Sequence, residues 1–284
     1  MKKKEKKEKK SFLHYKANQK NKKSVLVVYL VLRILVVLTM IAQIMNKNFE
    51  NAYICVLTLI LFLAPSFIQS RLNVELPNAL EIIILFFIFA AEILGEIQEY
   101  YLLIPFWDTV LHTINGFLFA AIGFSIVNLL NDNRKVSMML SPFYMAVTAF
   151  CFSMTIGILW EFFEWSMDSF FGLDMQKDTI VNAFNSVMLD PGGHNIPYHV
   201  RNVQDVILVY GDGTKQALGL GGYLDIGLLD TMKDLLVNFI GAVVFSVIGY
   251  FYVKTKGKGK IAKMFIPQVL EQKEKILGPE DPDE

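Results

Sequence analysis

Acidic and histidine residues stand inside the apolar stretches of this sequence, at spacings that suit side chains acting together. Asp108 and His112 are four positions apart, and so are Asp234 and Asn238. Residues four positions apart lie on one face of a helix, so each pair can present its polar atoms to one point. A histidine beside a carboxylate can carry out general acid–base chemistry, and the same pair can bind a divalent metal ion.

Carboxylates repeat in a similar way in two further apolar stretches. Steps of three and four residues follow one another within each set, so each set is predicted to form one stripe along a helix. The sets are Glu92, Glu96 and Glu99 in one stretch, and Glu161, Glu164 and Asp168 in the other. Carboxylates buried close together cannot all stay ionised without compensation, so either some hold protons or a cation lies among them.

The residue types suggest a division of roles. The predicted catalytic residues are Glu96, His112, Glu161 and Glu164. One of the last two would be the general base, and His112, oriented by Asp108, would be the acid. The predicted metal ligands are Asp108, His112, Glu164, Asp168 and Asp234. Oxygen-rich sites suit Mg²⁺, Ca²⁺ or Mn²⁺, and a histidine among them also admits Zn²⁺, but the residues leave open whether a divalent cation is the cofactor.

Three of the carboxylates have a plainer interpretation. Glu99, Asp168 and Asp230 stand near the ends of apolar stretches, where each can cap a helix at the water interface. A capping carboxylate needs neither a metal nor a substrate. Both interpretations stay open for these three residues.

The elements that must position all of these residues are membrane-spanning helices. The chain is 54% hydrophobic, with 23 Phe and only 19% charged residues, which is too apolar for a soluble domain of 284 residues. Six apolar stretches approach the roughly 20 residues that cross a bilayer. They are 24–45, 52–69, 79–98, 107–130, 143–168 and 229–252. The predicted fold is therefore all-α: a polytopic bundle of six transmembrane helices with one folded extracytoplasmic loop.

Charge asymmetry predicts the orientation in the membrane. The first 23 residues contain eleven Lys, and a second basic run extends from Lys254 to Lys263. Basic flanks stay in the cytoplasm, so both termini are predicted to be cytoplasmic, with the chain in the plasma membrane. The predicted organisation is a basic disordered N-terminus (1–23), a membrane domain (24–252) and a cytoplasmic tail (253–284).

The predicted depths of the polar residues agree with one another. With a rise of about 1.5 Å per residue, Glu92 lies about 20 Å across its span from the cytoplasm, and His112 lies about 7 Å below the outer surface. The same arithmetic puts Glu161 near the outer boundary and Asp234 a turn or two below it. The sequence therefore predicts that the stripes converge on one acidic and histidine site that faces the extracytoplasmic side.

The segment 172–228 is longer than a connection requires and is predicted to be the folded loop. Val206 to Tyr210 reads as a strand that enters a tight turn at Gly211 to Gly213. The pattern K-D-x-x-V-N occurs at 177–182 and again at 233–238. Either chance and the preference of Asp for helix starts explain the repeat, or the loop contains a second, shorter helix.

Three ordered motifs resemble the YjdF-like family of uncharacterised bacterial inner-membrane proteins. They are Phe106-Trp107-Asp108-x-x-Leu111-His112, Trp160-Glu161-x-x-Glu164-Trp165-x-x-Asp168, and Asp230-Thr231-x-x-Asp234-x-x-x-Asn238-x-x-Gly241. The order is also similar, more distantly, to that of VanZ-like proteins linked to teicoplanin resistance. Glu164 stands where that second pattern often has Gln, and the long loop replaces a short one. The resemblance implies a role in the cell envelope and does not imply glycopeptide resistance.

Three kinds of function stay open on the sequence. One is an enzyme that acts on a lipid or envelope precursor, and another is an accessory protein that binds such a lipid without chemistry. The third is an ion- or proton-coupled transporter, which is disfavoured because Phe117 to Val127 and Val243 to Phe251 contain no acidic, basic or histidine residue for a through-path. The expected partners are membrane lipid and a lipid-linked or envelope substrate, with no nucleic acid. The oligomeric state is not predicted.

Overall fold

The computed structural model describes residues 2–72, 74–131, 140–257, 262–266 and 268–269, with side chains for 23–71, 75–131, 140–257 and 263–266. Most of these residues are helical, because a long apolar run in lipid can satisfy its backbone polar groups only within a helix. The helices are α1 (Lys2–Met45), α2 (Phe49–Leu61), α3 (Ala64–Leu72), α4 (Asn78–Ile88), α5 (Tyr100–Leu103), α6 (Trp107–Asn131), α7 (Pro142–Phe171) and α8 (Leu228–Lys254). A π-helix, Phe89–Ile97, continues α4.

Among the residues that the structure describes, five helical segments are long and apolar enough to cross a membrane, which confirms five of the six predicted spans. They are Lys23–Met45, Phe49–Arg71, Trp107–Asn131, Pro142–Phe171 and Leu228–Lys254. The sixth predicted span, 79–98, is divided between α4, with 11 residues, and the π-helix, with 9. Neither part alone reaches the length that crosses a bilayer. The count of six spans and the extracytoplasmic position of the loop therefore stay predictions.

The chain forms two compact units, Met1–Ile156 with Val237–Glu284, and Gly157–Leu236. In the first unit, α1 begins at Lys2, whereas the sequence predicts a disordered segment up to residue 23. The limits of the predicted domains stay predictions.

In the described part of the first unit the core consists of three apolar clusters, the smallest of them around Leu76, Leu80 and Leu118. One joins α1, α2, α4 and the π-helix around Val36 and Cys55, which are fully buried. Another joins α6, α7 and α8 around Phe124 and Phe245, also fully buried. Two short strands, β1 (Val74–Glu75) and β8 (Gln268–Val269), pair antiparallel in the same unit. In lipid, helices associate through such close packing rather than through exclusion of water.

The second unit contains the long loop, which folds into antiparallel two-stranded ribbons. The pairs are β2 (Thr179–Val181) with β7 (Tyr223–Asp225), β3 (Phe184–Ser186) with β4 (Tyr198–Val200), and β5 (Ile207–Val209) with β6 (Lys215–Ala217). The β5–β6 ribbon confirms the predicted strand and tight turn, in which Gly213 has a φ of 84°. The short helix that was one of the two explanations of the K-D-x-x-V-N repeat does not form at 177–182. Residues 179–181 form β2 instead, because Thr, Ile and Val are β-branched and favour strands.

Candidate functional site

Asp108 and His112 lie together at the start of α6. The Nε2 atom of His112 is 3.4 Å from Oδ1 of Asp108, one helical turn earlier. Only 7% of His112 is exposed, and Asp108 is partly buried. A hydrogen-bond acceptor beside one ring nitrogen fixes the orientation of an imidazole and the position of its proton. The pair therefore has the geometry of an oriented acid–base group.

The start of α6 is held in place by Trp107. Its indole Nε1 donates to the carbonyl oxygen of Ala90 in the π-helix, at 3.3 Å. Its ring also packs edge-on against Tyr100, with the centroids 5.0 Å apart. Asp108 follows directly in the first turn, where the helix dipole favours an acidic side chain. These contacts fix the position from which Asp108 meets His112.

A second polar contact lies one turn further along α6. Asn115 Nδ2 is 3.4 Å from Oδ1 of Asn238, which is 1% exposed. Asn238 also donates to the sulfur of Met154 at 3.6 Å, and the neighbouring Ser153 hydroxyl donates to the carbonyl oxygen of Gly116 at 2.7 Å. The sequence pattern identified Asn238, but it missed Ser153 and Met154. No spacing rule links those two residues to α6, since they lie on α7.

The glutamates of the third predicted stripe differ in their surroundings. Glu92 is half-buried, Glu96 is exposed, and Glu99 lies beyond the π-helix with a φ of 59°. The expected stripe assumed an α-helix, whereas residues 89–97 form a π-helix, which closes its hydrogen bonds over five residues. The catalytic role of Glu96 stays a prediction. A π-helix is rare and is often found at functional sites, so residues 89–97 remain a candidate functional segment.

In the second unit, Glu161 and Glu164 lie one turn apart on α7 and are both buried. Glu161 is 3% exposed and Glu164 is 9% exposed. The Oε1 atom of Glu164 accepts a hydrogen bond from the indole Nε1 of Trp160 at 2.7 Å. A buried carboxylate is retained only where hydrogen bonds or charges compensate its lost hydration, and the indole supplies one such bond. The predicted roles of both glutamates stay predictions.

Asp168 and Asp230 fasten the beginning of the loop to two helix ends. The two carboxylate oxygens of Asp168 accept the backbone N–H groups of Met175 and Gln176, at 2.6 and 2.8 Å. Asp230 accepts the backbone N–H of Lys177 at 2.8 Å. In these bonds both carboxylates bind backbone N–H groups of the loop and not those of their own helices, so the capping interpretation of both residues stays a prediction. The proposed role of Asp168 as a metal ligand stays a prediction.

Asp234 is 1% exposed on α8. The Nζ atom of Lys233 lies 3.9 Å from Oδ1 of Asp234 and 3.6 Å from Oδ1 of Asp230. Sequence analysis did not identify Lys233 as a partner of these carboxylates. The i, i+3 spacing of Asp230 and Lys233 places the two residues side by side on a helix and could have identified Lys233.

The loop contains carboxylates whose ionisation is controlled by their surroundings. Burial raises the pKa of Asp178, and the nearby charges of Asp174 and Asp225 raise it further. The backbone N–H groups of Gly192, His194 and Ile196 lower the pKa of Asp190. The pKa of Asp190 falls because the hydrogen bonds favour its ionised form, whereas the pKa of Asp178 rises because burial disfavours its ionised form.

Five apolar helical segments, with buried ionisable side chains on three of them, define the class as an integral membrane protein with polar groups inside its spans. The chain belongs to the family of predicted membrane proteins DUF2238, which it matches over residues 26–255. This confirms an uncharacterised membrane family, while the resemblances to YjdF-like and VanZ-like proteins stay predictions. No curated protein and no solved structure is similar enough to the chain to match it.

Proposed function

We propose that Asp108 and His112 form an acid–base site that faces the extracytoplasmic side and acts on a lipid or envelope precursor. The observation that supports this proposal is the buried His112 with the Asp108 carboxylate 3.4 Å away, inside an apolar helix. Ionisable residues in membrane spans are costly and are retained mainly where they have a function. In this role His112 transfers a proton and Asp108 orients its ring.

Orientation follows from the basic flanks. Lys residues dominate positions 1–23, before the apolar part of α1, and Lys254 ends α8. If both ends are cytoplasmic, α6 begins at the extracytoplasmic surface, and Asp108 and His112 lie within its first two turns. The substrate then comes from the outer leaflet or from the envelope space. Membrane lipid and lipid-linked envelope precursors are the compounds in that place that present both an apolar and a polar part.

A conversion assay tests the proposal. Purified protein is incubated with a total lipid extract of bacterial envelopes, and the extract is compared by mass spectrometry before and after. Wild type is expected to convert one lipid class. His112→Ala is expected to lose conversion by about 100-fold or more, the usual contribution of a general acid–base group. Asp108→Asn is expected to lose less, because the imidazole remains.

His199→Ala is the matched control, since His199 is an exposed histidine of β4 that bonds Asn185. It is expected to convert lipid at the wild-type rate. If wild type converts nothing but retains one lipid class that His112→Ala releases, the protein is a binding protein rather than an enzyme. If wild type moves ions across liposomes while no lipid binds, the transporter alternative holds.

Metal dependence and the α7 glutamates are separate arms of the same experiment. Asp108 and His112 offer donor atoms 3.4 Å apart, a separation that two ligands of one divalent cation can have. Elemental analysis tests metal dependence by comparing the divalent metal bound to wild type with that bound to His112→Ala.

Glu161→Gln and Glu164→Gln test the proposed general base, because each keeps the shape of the side chain and removes its charge.

A further inference from the structure

The β5–β6 ribbon of the loop leaves one edge of β5 open. β5 (Ile207–Val209) and β6 (Lys215–Ala217) form a sheet of two strands, and no other described strand pairs with either of them. Each strand therefore has an inner edge, which is bonded to its neighbour, and an outer edge. The outer edge of β5 is not part of the acid–base site proposed above.

Two hydrogen bonds at the ends of the ribbon show which backbone groups face each edge. Val206 accepts the backbone N–H of Leu218 at 3.0 Å, and the N–H of Tyr210 donates to the carbonyl oxygen of Thr214 at 2.9 Å. In an antiparallel pair, residues that bond the neighbouring strand alternate with residues that face away from it. The even-numbered residues of β5 therefore bond toward β6, and the odd-numbered residues face away.

The residues that face away are Ile207 and Val209. Within the described part of the chain, no group bonds their backbone N–H or C=O. Their side chains are 60% and 64% exposed, and that of Leu208 between them is 40% exposed. Successive side chains of a strand point to opposite faces, so β5 is apolar on both faces. Water can bond the backbone of this edge, but it leaves the apolar side chains uncovered.

The open edge of β5 lacks the devices that usually protect an exposed edge strand. Such strands often contain a lysine, a proline or a β-bulge. Residues 206–210 are Val-Ile-Leu-Val-Tyr, and β5 pairs with β6 one residue to one without a bulge. An unprotected apolar edge of this kind fits an added β-strand, which supplies both backbone hydrogen bonds and apolar contacts.

We infer that the open edge of β5 pairs antiparallel with β5 of a second copy of this chain, so that the two ribbons form one continuous sheet. A twofold axis through Leu208 places each Ile207 opposite the second copy's Val209. Both residues of that pair face outward from their own ribbons, so they exchange both of their backbone hydrogen bonds. On the other face of the sheet, Leu208 meets its own counterpart.

A second copy fits this edge because β5 presents the same chemistry when it is read in either direction. Leu208 lies at the centre, with a β-branched residue of similar size on each side. Among the described strands, β5 is the one in which every residue is both apolar and exposed. Confinement of both copies to one membrane raises their effective concentration, which favours a contact of this small size.

Cysteine cross-linking of the full-length chain in liposomes tests this inference. In a background where Cys55 and Cys151 are replaced by Ala, Leu208→Cys is expected to form a disulfide-linked dimer on mild oxidation. Directly opposed residues of a non-hydrogen-bonded pair have Cα atoms about 4.5 Å apart, which suits a disulfide. Gln216→Cys is the matched control, because Gln216 is exposed and lies opposite Leu208 on β6. Its counterpart would be about 14 Å away, so at least about tenfold less dimer is expected.

Proline variants at two paired positions test the edge itself. Val209→Pro removes an N–H that only the second copy would use, once in each copy, so the cross-link through Leu208→Cys is expected to fall at least about tenfold. Lys215→Pro is the control, because Lys215 lies opposite Val209 and its N–H faces the other edge of the ribbon. It should leave the cross-link unchanged. Hydrogen exchange at Tyr210 and Leu218 measures whether the ribbon is intact in both variants.

If the ribbon opens in Val209→Pro, a pair of introduced charges replaces that test. Val209→Lys alone should weaken the cross-link, and adding Ile207→Glu should restore it, because the introduced acid of each copy then faces the introduced lysine of the other. A cross-link that survives Val209→Pro in an intact ribbon, or one that Ile207→Glu does not restore, would overturn the inference. The same holds for Leu208→Cys without a cross-link, or with no more than Gln216→Cys gives.

Discussion

The backbone of Gly116 on α6 touches the backbone carbonyl of Asn238 on α8, so that a Cβ atom on Gly116 would overlap the Asn238 oxygen. A reciprocal contact joins Gly241 to the carbonyl of Thr113. Two glycines thus allow α6 and α8 to meet at their backbones, as small residues do in membrane helix pairs. This approach brings the side chains of Asn115 and Asn238 within 3.4 Å of each other.

Gly116→Ala and Gly241→Ala are each expected to destabilise the protein by about 1–3 kcal/mol, because the added methyl group has only backbone to displace. Thermal unfolding in detergent measures the change. Gly211→Ala is the control, since a Cβ at Gly211 meets nothing within 4 Å and its φ is not in the left-handed region. An equal shift in all three variants would contradict the backbone contact.

Asp168→Ala is expected to release the beginning of the loop from the end of α7. It removes the acceptors of two backbone N–H groups, each bond to a charged group contributing about 1.5–3 kcal/mol. Faster hydrogen exchange at Met175 and Gln176 measures the release. Asp174→Ala, an exposed acid six positions later, should leave exchange at these two amides unchanged.

The turn after the 3₁₀ segment Val187–Leu189 should open at low pH. Three backbone N–H groups hold the pKa of Asp190 below its usual value, so the folded pKa lies below the unfolded value of about 3.9. Stability from this group is therefore complete above about pH 4 and is lost as the pH falls through the folded pKa. Hydrogen exchange at Gly192, His194 and Ile196, corrected for intrinsic rates, should accelerate over that range.

Asp190→Asn should weaken protection of the same amides already at neutral pH, because the neutral amide accepts weaker hydrogen bonds than the carboxylate. Asp174→Asn is the control and should leave the protection of these amides unchanged. A turn that stays protected in Asp190→Asn would show that the carboxylate charge is not what holds it.

The proposed orientation can be tested with single cysteines in a background where Cys55 and Cys151 are replaced by Ala. Asp212→Cys, at the tip of the β5–β6 ribbon, should react with an impermeant maleimide on intact cells. Lys256→Cys, just after α8, should react only after permeabilisation. The reverse pattern would place the C-terminal end outside, and labelling of neither site in intact cells would place the loop in the cytoplasm.

The local sequence pattern was sufficient to predict several features of this protein. Asp108 and His112 could be paired from the sequence because they lie on one helix, where a spacing of four sets their distance. The β5–β6 ribbon could be predicted because a short run of β-formers and a Gly-Asp-Gly turn specify a hairpin locally. Five of the spans could be predicted because their length and apolar composition match the bilayer.

The π-helix could not be predicted in this way. Residues 89–97 keep an apolar composition that suits an α-helix, and the shift to five-residue hydrogen bonds leaves no mark in composition. Within it Glu92 is half-buried and Glu96 is exposed, a difference that spacing alone does not predict.

By itself, the sequence determined the class of the protein, most of its spans and the pairing of groups that lie within one helical turn. Only the tertiary structure decided that Asn115 meets Asn238, 123 positions away, and that Asp168 holds the loop rather than standing alone. It also decided that one edge of β5 stays open beside β6 among the described strands. The physical reason is that spacing within a turn is set by covalent geometry, whereas distant contacts depend on which surfaces pack together.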